Sequence, residues 1–98
     1  MNITISPAAV AWFQEEIGIQ KGDKVKFFTQ IYGSSPIQKG YSLGFTKDND
    51  PIDMAVSTIS EGIEFYVEAS DLWFFNDYNL VVEYNEAFDE IEFNYSKE

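Results

Sequence analysis

From residue 24 onward the apolar residues of this chain recur at every second position, in runs too short for helices. The clearest run is 24–32. Val25, Phe27, Thr29 and Ile31 fall on one side of an extended backbone, and Lys26, Phe28, Gln30 and Tyr32 fall on the other. Tyr41, Leu43 and Phe45 repeat the pattern in 41–45, and Ile63, Phe65 and Val67 repeat it in 63–68. A weaker run covers 53–59, and two more cover 80–84 and 91–95. Between them lie turn residues: Lys47-Asp48-Asn49-Asp50-Pro51, Glu61-Gly62, and an acidic connection at 85–90.

Two segments break the period. Ser6-Pro7 is a helix start, with a hydroxyl to cap the first turn and a proline where its missing N–H costs nothing. The helix runs over 8–17. Ala9, Val10, Phe13 and Ile17 form its apolar stripe, Trp12 sits at the margin as core packing, and Gly18 ends it. A shorter helix is expected over 71–76, capped by Ser70 and carrying Leu72-Trp73-Phe74-Phe75. With a leading strand at 3–5, the order is strand, helix, four strands, short helix, two strands. Short strands that follow one another directly favour antiparallel pairing. The expected fold is therefore a small β-rich α+β domain over 1–98, mostly antiparallel, with its helices against a sheet or half-closed barrel.

Composition decides what such a domain can do. Of 98 residues, 45% are hydrophobic and 17% aromatic, enough apolar surface to offset the entropy of ordering a compact core. There is no cysteine and no histidine, which removes disulfides, thiolate nucleophiles, zinc–thiolate and cluster ligation, imidazole ligands and Ser-His-Asp chemistry. The net charge of −11 opposes nucleic acid and anionic membrane surfaces. That charge is uneven: 13 of the 17 carboxylates but one of the six lysines lie from Asp50 onward. This half reads as a solvated face or as a docking face for a basic partner. No apolar run reaches the ~20 residues of a membrane span, and the first residues lack the basic and apolar regions of a signal peptide. The expected compartment is the cytoplasm.

Three places are candidates for a site. The first is the loop 33–40, where Gly33 and Gly40 free the backbone, Ser34 and Ser35 offer hydroxyls and Lys39 is suited to an anion. It also reads as an ordinary hairpin loop, and neither serine has a base to activate it. The second is the carboxylate group Glu83, Glu86, Asp89, Glu90 and Glu92, which lacks the ordered spacing of a calcium loop. Weak cation attraction is its expected limit. The third is aromatic. Trp73-Phe74-Phe75 with Tyr78, and Phe28, Tyr32 and Tyr66 on outward strand faces, would make an apolar patch for a protein partner if exposed.

Four segments, in order along nearly the whole chain, resemble the HesB-like, A-type iron–sulfur cluster carrier family. They are Ile3-Thr4-Ile5-Ser6 before the Ala-containing helix; Val25-Lys26-Phe27 through Gly33-Ser34 to Tyr41-Ser42-Leu43-Gly44-Phe45; Glu68-Ala69-Ser70-Asp71-Leu72-Trp73-Phe74; and Ile91-Glu92-Phe93-Asn94. The resemblance implies a HesB-like scaffold. It also implies that iron or a cluster would be held by one cysteine in the central loop and a Cys-x-Cys pair near the C-terminus. Ser34 stands at the loop position, and Ser96-Lys97-Glu98 ends the chain before the place of the pair. A neutral hydroxyl is a poor ligand for soft iron sites. The expectation is a non-enzymatic binding or accessory protein, with no cofactor and no catalytic or metal-ligating residue, that docks a protein partner through its acidic or aromatic face. The alternative is iron or divalent-metal handling through oxygen ligands, or cluster assembly through a partner's ligands. The sequence sets no oligomeric state.

Overall fold

The computed structural model describes residues 1–98 as seven strands, two short helices and one 3₁₀ turn. β1 (Ile3–Ile5) leads into α1 (Pro7–Glu16), whose first turn is closed by the Ala9 N–H donating to Ser6 Oγ at 3.1 Å. Gly18 follows α1 at φ +76°, a left-handed conformation that glycine adopts without steric cost and that turns the chain back toward the sheet. β2 (Lys24–Gln30), β3 (Ser42–Lys47), β4 (Met54–Ser60) and β5 (Ile63–Glu68) come next. The 3₁₀ turn Ala69–Asp71 runs into α2 (Leu72–Phe75), and β6 (Tyr78–Asn85) and β7 (Glu90–Lys97) complete the chain.

The strands form two mixed sheets, ordered β1-β6-β7 and β3-β2-β5-β4, with no closed barrel. The α+β architecture is as expected. The strands that pair with their neighbour in sequence do so antiparallel: β2 with β3, β4 with β5, β6 with β7. Each sheet also has one parallel pairing, β1 with β6 in the first and β2 with β5 in the second. They join segments far apart in the chain, so local order alone did not announce them.

The core lies between the sheets and α1. Phe13 of α1 packs its ring 5.0 Å from Phe45 and 5.4 Å from Phe65, and Phe27 of β2 reaches Phe93 of β7 at 5.6 Å. Phe27 thus ties one sheet to the other. The alternation of β5 holds for its core face, where Ile63, Phe65 and Val67 are buried. Its other face corrects the sequence reading, because Tyr66 is fully buried rather than outward. β5 is an inner strand, and the segment after β3 folds across it; the Tyr66 hydroxyl donates to the Asp48 carbonyl at 2.9 Å. Burial pushes the Tyr66 phenol up to about 12. On the same face Glu68 is buried and accepts the N–H groups of Ile52 (3.1 Å) and Asp53 (2.7 Å).

Two helical details also differ. Ser70 is not the cap of the second helix; it lies within the 3₁₀ turn, and Asp71 occupies the cap position without a capping bond. The Asp71 carboxylate is engaged elsewhere, accepting the Thr29 N–H at 3.3 Å and so fastening α2 to the end of β2. Phe74 and Phe75 are buried, which leaves only Trp73 and Leu72 of the run at the surface.

Candidate functional site

The loop after β2 is built by its glycines and Ser35. Gly33 adopts φ +81°, and a Cβ there would come within 3.1 Å of Ser42 Oγ, so any larger residue meets both backbone strain and a close neighbour. Ser35 Oγ accepts the Gln38 N–H at 3.0 Å, and the Ser35 N–H donates to the Gln38 carbonyl at 3.2 Å. Gln38 Nε2 in turn reaches the Trp73 carbonyl at 3.5 Å, joining the loop to α2. Ile31 and Tyr32, expected to extend β2, lie beyond its last pair, Gln30 with Ser42, and are strongly exposed. Trp73 is edge-on to Tyr41 at 5.0 Å and half exposed.

Ser34 and Ser35 open onto a cleft of about 260 Å³ whose far wall is Ile91, Phe93 and Tyr95 of β7. Lys39, Gly33 and Gly40 lie outside its lining. Tyr95 packs against Phe74 and Phe75, and burial pushes its phenol up to about 12. The cleft therefore offers the hydroxyls of Ser34, Ser35, Ser42 and Tyr95, an apolar wall and one carboxylate, Glu92, which also takes amide bonds from Asn94 (3.1 Å) and Asn85 (3.1 Å). Such a donor set does not fit a soft iron or iron–sulfur ligand site. Nor do the carboxylates singled out in the sequence converge. Glu83 and Glu92 face each other across β6 and β7, with the Asn94 amide donating to both. No group of three or more His, Cys, Asp or Glu in the chain is arranged to hold a metal ion.

A second cleft, about 210 Å³, was missed in the sequence. It runs between α1 and the β6–β7 hairpin, over Ala8 and Ala11, with Trp12 and Tyr84 as aromatic walls and Glu15, Glu16 and Asp89 around it. Trp12 is thus more than core. Its ring packs edge-on against Phe13 and Phe45, while Nε1–H donates to the Asp89 carbonyl at 3.2 Å. The Tyr84 hydroxyl donates to Asp89 Oδ1 at 2.7 Å, and that bond with Asp89 is the first cause holding the Tyr84 phenol above its ordinary value. The signal was present in the spacing: residues 8, 11, 12, 15 and 16 share one helical face beside the core stripe of 9, 10, 13 and 17.

The model of a family described as iron–sulphur cluster biosynthesis matches residues 1–98. The chain belongs to that family. It does so without a cysteine, so the family's thiolate ligands are absent from it. Among similar proteins, a pyruvate dehydrogenase inhibitor of Bacillus subtilis is 44% identical over 95 residues, covering 97% of this chain and 99% of that one. An uncharacterized protein of Staphylococcus saprophyticus is 34% identical over 95 residues, covering 95% and 97% of the two chains. An uncharacterized protein of Staphylococcus aureus is 29% identical over 96 residues, covering 96% and 98%. No helix is long and apolar enough to cross a membrane.

Proposed function

We propose that this chain is a non-catalytic cytoplasmic regulator that binds pyruvate dehydrogenase and lowers its activity. The observation that carries this reading is the 44% identity, spread over almost the full length of both chains, with the Bacillus subtilis protein that bears that name. The chemistry of the chain agrees with it. Without cysteine or histidine there is no thiolate and no imidazole to act in cluster transfer or acid–base steps. What remains is surface: the exposed side chains of Ile31, Tyr32 and Trp73, the loop cleft at Ser34, and a large excess of carboxylates. Surfaces of this kind serve recognition, with exposed aromatic and aliphatic side chains as anchors and charge as the guide to orientation.

The test is direct. Purified chain titrated into an assay of purified pyruvate dehydrogenase should reduce the rate in a saturable, dose-dependent way. A rate unchanged at chain concentrations far above that of the enzyme overturns the proposal. Membership of the cluster biosynthesis family favours a second reading, assembly of clusters through a partner's ligands. Cluster delivery from a loaded scaffold protein to an apo-acceptor that proceeds at the same rate with and without the chain removes it.

A further inference from the structure

We infer that the groove between α1 and the β6–β7 hairpin receives a lysine or arginine side chain of the partner protein. The inference rests on the reading of the chain as a protein-binding regulator and adds the place and chemistry of one contact. The shape comes first. Ala8 and Ala11 are small, so the groove can run along the helix, and the Trp12 and Tyr84 rings wall it. An aliphatic stem can lie between such walls while its cationic head meets a ring face or a carboxylate.

Charge selects the occupant. Glu15, Glu16 and Asp89 border the groove, and none of the four ion pairs of the molecule involves them. Glu15 and Glu16 also stand in the last turn of α1, where no basic residue offsets the negative end of the helix. Asp89 has one oxygen occupied by the Tyr84 hydroxyl, while Oδ2 takes no bond from the chain. An apolar-floored groove with three uncompensated carboxylates repels an acidic segment, gains little from a neutral one and complements a cation. Its setting suits a protein partner. Phe88, at the hairpin tip next to Asp89, is 74% exposed. Tyr84 lines this groove and Ile91, its direct partner across β6 and β7, lines the loop cleft, so the two clefts adjoin along one strand pair.

The experiment compares two variants with the same change in charge. In one, E15Q, E16Q and D89N neutralise the groove; asparagine keeps an acceptor for Tyr84 and tolerates the φ of +49° at position 89. In the other, D50N, D53N and E61Q neutralise three exposed carboxylates elsewhere. In a W73F background Trp12 is the sole indole, and its emission reports occupancy of the groove by a pentalysine peptide at low salt. The groove variant should bind the peptide about ten-fold more weakly and should inhibit pyruvate dehydrogenase about ten-fold more weakly, with the control variant close to the parent. Equal loss of peptide affinity in both variants, or inhibition unaffected by the groove substitutions, overturns the inference and leaves the inhibitor reading standing. If the parent chain does not inhibit the enzyme yet the peptide still discriminates between the variants, the inhibitor reading falls and the cation groove stands.

Discussion

The two sheets use their carboxylates in opposite ways. On the four-stranded sheet each lysine of β2 and β3 has a partner: Lys24 with Glu64 at 2.8 Å, Lys26 with Asp48 at 3.3 Å, and Lys47 with Asp23 at 3.5 Å. These carboxylates are held below the usual range. The Gln20 N–H is the first cause for Asp23 and the Asp50 N–H for Asp48, while the Lys24 ammonium is the first for Glu64. Around the three-stranded sheet and α1, Glu15, Glu16, Glu83, Glu86, Asp89, Glu90 and Glu92 have no ion-pair partner at all. Charge in the first region holds the chain to itself. In the second, Glu83, Glu92 and Asp89 accept hydrogen bonds from Asn94, Asn85 and Tyr84, but no cation of the chain offsets their charge.

The largest effect expected is one that abolishes the comparison. Phe13→Ala removes a fully buried ring that meets Phe27, Phe45 and Phe65, and should cost about 3–5 kcal/mol in chemical denaturation. Because Phe27 continues to Phe93, both sheets should melt in one transition; separate transitions would mean the two regions do not share a core. Next, Glu68→Ala leaves two backbone N–H groups without their carboxylate and should cost about 1.5–3 kcal/mol. A near-neutral result would show that the acids of the four-stranded side are not structural.

Smaller effects sharpen the contrast by sign. A double-mutant cycle on Lys24 and Glu64 should give a coupling of about 0.2–1 kcal/mol, favourable and reduced by salt. Glu16→Gln at the end of α1 should instead stabilise by about 0.3–1 kcal/mol, since it removes a negative charge from the negative end of a helix. Destabilisation there would mean that Glu16 already has a folding role. The subtlest difference lies in acid titration. A carboxylate lowered in the native state contributes stability above its ordinary range near pH ~4 and loses it as pH falls toward its native value. Glu64→Gln should therefore flatten the acid limb of the stability curve.

What could be read from residues alone follows the range of the interactions. The helix start at Ser6-Pro7, the glycine after α1 and the core faces of β3 and β5 depend on neighbours a few positions away, and they stand as the spacing indicated. Tyr66 was misplaced because period two says which side a residue takes but not what covers that side. The Ser70 cap failed because a 3₁₀ turn over Ala69–Asp71 precedes the helix and moves the cap position to Asp71, whose carboxylate meets Thr29, 42 residues earlier in the chain. Of the candidate loop, Ser34 and Ser35 are brought to a cleft, while Lys39 points no charge into it. The groove at Trp12 went unread because its far wall, Tyr84 and Asp89, belongs to a hairpin more than sixty residues later.

By itself the sequence determined that this is an α+β chain of the cluster biosynthesis family without a cysteine to ligate a cluster. Residue types settle that, since no fold supplies a thiolate that the chain does not encode. Only the tertiary structure decided where the excess of negative charge stands uncompensated. Parallel pairing of β2 with β5 and of β1 with β6 brings distant segments together. One sheet thereby matches its lysines to carboxylates, and the other leaves Glu15, Glu16 and Asp89 beside an open groove.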